Sequence, residues 1–354
     1  MALRIRAPRG DTGGVSFAGS FEDGMKVCLW SRVAMRVLLE VAAFPAPHAE
    51  ALYAGARAIP WTDHLDTRTT FAVSASVQDN QHLRHSGFAA LKVKDAVADA
   101  LRERLGARPD VSTEDPDVAL FLHLRGPEAR LFLDLAGEPL HRRGYRVAMT
   151  EAPLKETLAA AVLALGRVDP ALPFVDPMAG SGTLAIEQAM AARRLAPGLE
   201  RSFGFQRWPR FATGPDRIWA SLVKTARQSA LPAAPAPIIA RDLAPEAIAA
   251  ARRNAEAAGV ARDITFQTGD IGDLAITAPA GTVCFNPPYG ERLAPADLDE
   301  LYRNISRRLR RMPGWAAVIL NGNPLLARAM GGQPELSHKL WNGPIEVRLL
   351  RYRL

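Results

Sequence analysis

Cysteine is nearly absent. The 354 residues hold only Cys28 and Cys284, far apart and in unlike contexts. Such a pair excludes a disulfide framework and leaves no Cys/His spacing suited to zinc, so no metal is expected. Apolar runs are short as well. None approaches the roughly 18 residues a membrane-spanning helix needs, and the N-terminus lacks the charged-then-apolar pattern of a signal peptide. No membrane association and a cytoplasmic location are expected. Compositional bias toward disorder is also missing: 48% hydrophobic and 23% charged residues describe a chain that folds.

What the sequence does hold is length and an uneven positive charge. At 354 residues it exceeds one ordinary core, since domains usually run to roughly 100–200 residues. Net charge is +7, with 19 Lys/Arg against 18 Asp/Glu in residues 1–150 and 25 against 19 in residues 151–354. A basic half favours a polyanion partner through counterion release, although arginine and alanine enrichment also fits a GC-rich genome.

The first half shows short strand patterns at 13–17, 70–76, 119–125 and 130–135 and a helix at 90–105, which fits a small α+β unit. The turn-like Ala136-Gly137-Glu138-Pro139 and the basic run from His141 to Arg146 predict a domain boundary near 150. Beyond it strands and helices alternate: a helix carrying Leu154, Leu158, Val162 and Leu163, a strand ending at Asp176, and a helix from Gly182. A strand over 238–240, a helix over 245–258, strands over 264–267 and 282–285, a helix over 298–311 and a strand over 316–320 follow. That rhythm predicts a doubly wound parallel sheet. Residues 336–341 and 345–352, joined by a turn, predict an antiparallel edge typical of the class I methyltransferase sheet. A long insertion over 195–237 carries Phe203-Gly204-Phe205-Gln206-Arg207-Trp208. It suits either an RNA path, through its aromatic and basic residues, or a helix capping the sheet.

Four motifs carry chemistry. Asp176-Pro177-Met178-Ala179-Gly180-Ser181-Gly182-Thr183 is a strand end feeding a glycine-rich turn that opens a helix. Its glycines admit a ligand close to the backbone, and the free amides of a helix start favour an anionic group. Gly180, Gly182 and Ala185 also satisfy a dinucleotide pattern. Asp176-Pro177 before the turn points instead to S-adenosylmethionine, so Asp176, Pro177, Gly180, Ser181, Gly182 and Thr183 are candidate cofactor residues. Asp242 ends the next strand, where a carboxylate can accept both ribose hydroxyls or cap the following helix. Asp270, with Asp273 as rival, is placed to meet an adenine amine. Asn286-Pro287-Pro288-Tyr289 closes an apolar strand, at the edge where open α/β sheets bind ligands.

That last motif suits methylation of a conjugated amino nitrogen. The Asn286 amide oxygen and the Pro287 carbonyl can accept the amine protons and leave its lone pair free, the prolines stiffen the loop, and Tyr289 can stack on the base. Asn286 also faces the cofactor side. Cys284, two residues earlier in an apolar strand, reads as a buried thiol rather than a nucleophile.

These residues, with Leu154-Lys155-Glu156-Thr157, Gly290-Glu291-Arg292-Leu293, Trp30-Ser31-Arg32, the segments 91–96, 140–146 and 194–199, and Asn342-Gly343-Pro344 in the same order, resemble the THUMP-domain RNA methyltransferases, in the 23S rRNA guanine-N2-methyltransferase branch. The resemblance implies a partial ferredoxin-like segment at 1–45, a THUMP RNA-binding domain at 46–150 and a class I methyltransferase domain at 151–354. It further implies N2-methylguanosine formation with S-adenosylmethionine, on 23S rRNA or an assembling large subunit. It departs from the family at both ends: the family's opening strand and helix are not recognisable before Gly13, and no second methyltransferase domain follows Leu354, so a fused 7-methylguanosine activity is not expected. A tRNA guanine-N2, DNA adenine-N6 or protein glutamine-N5 methyltransferase, and a non-catalytic ribosome-assembly protein that binds RNA, remain the alternatives.

Overall fold

A computed structural model describes residues 8–11, 13–149, 153–289 and 295–354. The chain divides into two compact units, Met1–Leu140 with Arg201–Thr225, and His141–Glu200 with Ala226–Leu354. No described helix is long and apolar enough to cross a membrane.

In the first unit a small hairpin, β1 (Arg9–Asp11) and β2 (Gly14–Ser16), precedes helix α1 (Phe21–Trp30). The capping box that starts α1 pairs the Ser20 side chain with the Asp23 amide and the Asp23 carboxylate with the Ser20 amide. Then come β3 (Leu38–Pro45), α2 (Ala49–Arg57), β4 (Phe71–Gln78), α3 (Ser86–Leu105), β5 (Val118–Arg125) and β6 (Glu128–Asp134). The strands form one sheet in the order β3-β6-β5-β4, parallel only between β4 and β5. Strand β5 alternates buried and half-buried positions along its length, as a sheet with one covered face requires.

The second unit contains α4 (Glu156–Leu165), β7 (Phe174–Asp176), α5 (Thr183–Ala192), the end of α6 (Pro215–Ser229), β8 (Ile238–Asp242), α7 (Pro245–Ala257), β9 (Ile264–Thr268), β10 (Gly281–Phe285), α8 (Pro295–Leu309), β11 (Trp315–Asn321), α9 (Pro324–Met330), β12 (Leu336–Asn342) and β13 (Ile345–Arg353). Its sheet runs β12-β13-β11-β10-β7-β8-β9. The strands β11, β10, β7, β8 and β9 are parallel, while β13 runs antiparallel to both neighbours. All residues of β7, β10 and β11 are buried, the continuous apolar pattern of strands covered on both faces. From β7 the chain steps outward to β8 and β9, then returns to the other side at β10. The crevice where strand order reverses therefore opens at the C-terminal ends of β7 and β10.

One expectation needs correcting. The insertion does not offer these aromatic rings as a surface: Phe203, Phe205 and Trp208 are at most 3% exposed and belong to the first unit's core, with Phe211, Trp219 and Leu222 packed against it. Phe203 and Phe205 stack at 5.5 Å, and Trp219 meets both edge-on. Burying this much aromatic area outweighs any gain from leaving it in water. Met25, Val27 and Cys28 of α1 share one hydrophobic cluster with Leu120, Leu122 and Leu131 of the sheet.

Candidate active site

The site is assembled from the loops that end β7, β8, β9 and β10. A cavity of about 550 Å³ there is lined by Asp176, Pro177, Gly180, Ser181, Thr183, Asp242, Asp270, Asn286, Pro287, Pro288 and Tyr289, with Leu243, Ile271, Asn342 and Ile345 among its other walls. All the candidate residues thus meet in one place except Gly182 and the rival Asp273. The volume is that of a pocket for a small-molecule ligand.

Gly182 has a different task. Its φ of +85° is a left-handed conformation at the start of α5, and a Cβ there would lie 2.9 Å from Ala251 Cβ on α7. The residue allows two helices to touch. Gly180, also left-handed at φ +53°, turns its amide toward Asp242 and donates to Oδ2 at 2.8 Å. The other Asp242 oxygen accepts from the Ala244 amide at 3.0 Å, so this carboxylate braces the glycine turn and the start of α7 together.

Asp176 is 1% exposed. Burial pushes its carboxyl well above the usual carboxylate range, the Met178 amide at 3.2 Å pulls the other way, and the Asp242 charge adds to the rise. Among the described residues no cation balances it. Asp270 caps a short turn, accepting from the Gly272 amide at 2.7 Å. Arg241 fixes the loop behind it, with Nε donating to the Gly269 and Asp270 carbonyls at 3.2 and 3.0 Å.

On the opposite wall the Tyr289 hydroxyl donates to the Asn286 amide oxygen and also meets the Asn342 side chain. The Tyr289 ring lies so close to Gly322 that a Cβ would sit 2.5 Å from it. The Asn323 side chain donates to the Tyr289 carbonyl at 3.0 Å, and the Tyr302 hydroxyl to the Pro288 carbonyl at 2.7 Å. Tyr289 thus lines the cavity half-buried, with its hydroxyl and its carbonyl both engaged. Burial raises its phenol far above the ordinary value. Burial likewise raises the thiol of Cys284, which is 0% exposed, so it stays protonated. The resembling segment Gly290 to Leu293 lies outside the described residues.

Within the basic run at 141–146, Arg143 and Arg146 turn inward while Arg142 stays exposed, which its composition hid. Arg143 and Glu187 form an ion pair at 3.4 Å with side chains 2% and 0% exposed, and the Tyr145 hydroxyl donates to the same Glu187 oxygen at 3.3 Å. Arg146 reaches Glu156 at 2.8 Å, Ser181 Oγ at 3.1 Å and Thr183 Oγ1 at 3.2 Å. Asn254, fully buried on α7, accepts from the Val147 and Ala148 amides and donates to the Ala148 and Ser181 carbonyls at 2.8–3.0 Å. Together these contacts lash the segment that opens the second unit to the glycine turn. Only the clustering of arginines before the motif hinted at them.

A family model described as the RMKL-like methyltransferase domain matches residues 143–351, more than half of the chain. The chain belongs to this family. A THUMP domain model matches residues 46–134, and a model described as the RlmL ferredoxin-like domain matches residues 1–38. A relative from Syntrophotalea carbinolica, named ribosomal RNA large subunit methyltransferase K/L, is 43% identical over 355 residues, covering 96% of this chain and 49% of its own length. One of the same name from Pseudomonas paraeruginosa is 42% identical over 370 residues, with coverage of 98% and 49%. The chain spans about half the length of the curated relatives it matches.

Among solved structures, SMU.472 in complex with SAH is 29% identical with a TM-score of 0.89, covering 98% of this chain and 91% of that one. A protein described as a predicted N6-adenine-specific DNA methylase from Listeria monocytogenes is 31% identical with a TM-score of 0.86, covering 98% and 89%. The fold is a class I methyltransferase domain preceded by a ferredoxin-like and THUMP region.

Proposed function

We propose that the chain transfers a methyl group from S-adenosylmethionine to guanine N2 of large-subunit ribosomal RNA. The observation that carries this is the cavity itself, which puts the Asp176 and Asp242 carboxylates opposite Asn286-Pro287-Pro288 across one open space. The cofactor's chemistry suits the first wall. A buried carboxylate without a cation, Asp176, suits an ammonium-bearing ligand, and the bracing carboxylate Asp242 keeps lone pairs for ribose hydroxyls. When bound, S-adenosylmethionine supplies an electrophilic methyl group.

The second wall handles the amine. The Asn286 amide oxygen and the Pro287 carbonyl accept protons of an exocyclic amino group and direct its lone pair toward the cofactor side. The Tyr289 hydroxyl donates to that same Asn286 oxygen and orients it, leaving a second lone pair for the amine. Among the described residues no histidine or lysine lines the cavity, and a phenol raised by burial is no base at neutral pH. The amine proton therefore leaves to solvent after transfer, once the methylated nitrogen is cationic and acidic.

RNA as the substrate rests on the THUMP match and on the names of the relatives; the name of the Listeria structure favours DNA adenine instead. Incubating the full chain with labelled cofactor and unmodified 23S rRNA transcript, then digesting to nucleosides for mass spectrometry, should yield N2-methylguanosine. Label in N6-methyladenine of duplex DNA, with none in RNA, would overturn the assignment.

A further inference from the structure

Asn342-Gly343-Pro344 has no task yet in the chemistry of the site. It forms the turn of the β12–β13 hairpin, with Asn342 paired to Ile345, and both of these line the cavity. The next residue back, Trp341, is different in kind. Of the six tryptophans it alone is exposed, at 56%, while Trp61, Trp208 and Trp315 are nearly fully buried and Trp30 and Trp219 half-buried.

Successive strand residues point to opposite faces, so Trp341 sits on the other side of the hairpin from Asn342. Lys339 is two positions back on that face, its Nζ 5.1 Å from the indole centroid. Arg348 stands directly across from Lys339, and Glu346 across from Trp341. All four are exposed. Glu346 pairs with Lys339 at 2.7 Å, leaving the patch a net positive charge. A lysine on an edge strand also discourages strand addition, but that purpose does not call for an exposed indole beside it.

We infer that this face of the hairpin is a stacking platform for an RNA base close to the methylated one. A flat aromatic ring offers any base its π-face, and the flanking cations suit the phosphates on either side. RNA leaving the cavity across the Gly343-Pro344 turn reaches Trp341 on the other face of the hairpin. This inference rests on RNA being the substrate.

The test uses the full chain and the same 23S rRNA transcript. Trp341→Ala should weaken RNA affinity and raise the KM for RNA roughly ten- to hundred-fold, with S-adenosylmethionine affinity and kcat unchanged. Trp341→Phe should recover most of the loss. Lys339→Ala should flatten the dependence of affinity on salt. Equal RNA affinity in wild type and Trp341→Ala overturns the platform and leaves the proposed function standing. Weakened binding in Trp341→Ala, with no N2-methylguanosine made by the wild type, supports the platform and overturns the guanine assignment instead.

Discussion

The Gly180 amide donates to the Asp242 carboxylate across 2.8 Å, so the turn after β7 takes its shape from the end of β8. The residue proposed to bind ribose is also a brace for the loop beside it. Asp242→Ala should weaken S-adenosylmethionine binding by about 1–3 kcal/mol, the scale for a charged hydrogen-bond acceptor, and Asp242→Asn by less. Isothermal titration calorimetry decides this, and native affinity in the alanine variant would refute the assignment.

Asn286 is expected to act on the rate, not on cofactor binding. Asn286→Ala should lower the single-turnover methyl-transfer rate by about 10²–10³, as for the loss of one positioned polar contact. Unchanged turnover would remove Asn286 from the chemistry.

Gly182→Ala should destabilise the second unit by about 1–3 kcal/mol, from left-handed strain and the contact with Ala251. Adding Ala251→Gly should return the contact's share and leave the strain. Urea unfolding of both single variants and the double variant separates the two. If the second substitution gives no relief, close approach of α5 and α7 is not what requires glycine.

Asp134, 1% exposed with Arg36 Nε 3.2 Å away, has its carboxyl pushed up to about 6 by burial, against the pull of Arg36. Because the folded state holds this proton more tightly than the unfolded chain, the group's contribution to stability is full below about pH 4. It falls as pH rises through about 6, by about 3 kcal/mol in all. The stability difference between Asp134→Asn and wild type should therefore shift in the variant's favour between pH 4 and 7.5. A difference that stays constant with pH would show that Asp134 titrates alike in both states.

The second unit was largely legible. Its central strands are short apolar runs ending in Asp176, Asp242 and Asn286, and its helices keep an apolar period, so element type followed from pattern. The first unit was less so. Strand β3 was missed because a bulge between Glu40 and Ala42 breaks its alternation, and α2 because nine alanine-rich residues carry little period. In the site, residue types were readable but their partners were not. Nothing in one-dimensional text pairs Arg143 with Glu187, or places Asn254 under Ser181, since these contacts join segments far apart in the chain. The hydrogen bond from Tyr289 to Asn286 was not legible either, because it depends on how the loop folds back.

The aromatic excursion at Arg201–Thr225 has a consequence for the order of synthesis. Phe203, Phe205 and Trp208 complete a core whose other members precede Leu140, yet the ribosome makes them only after β7 and α5. Domains usually fold as they emerge, N-terminal first. Here the leading unit must wait, with part of its apolar surface uncovered, until the first strand and helix of the trailing unit have been made. Its completion is thus timed by the growth of its neighbour.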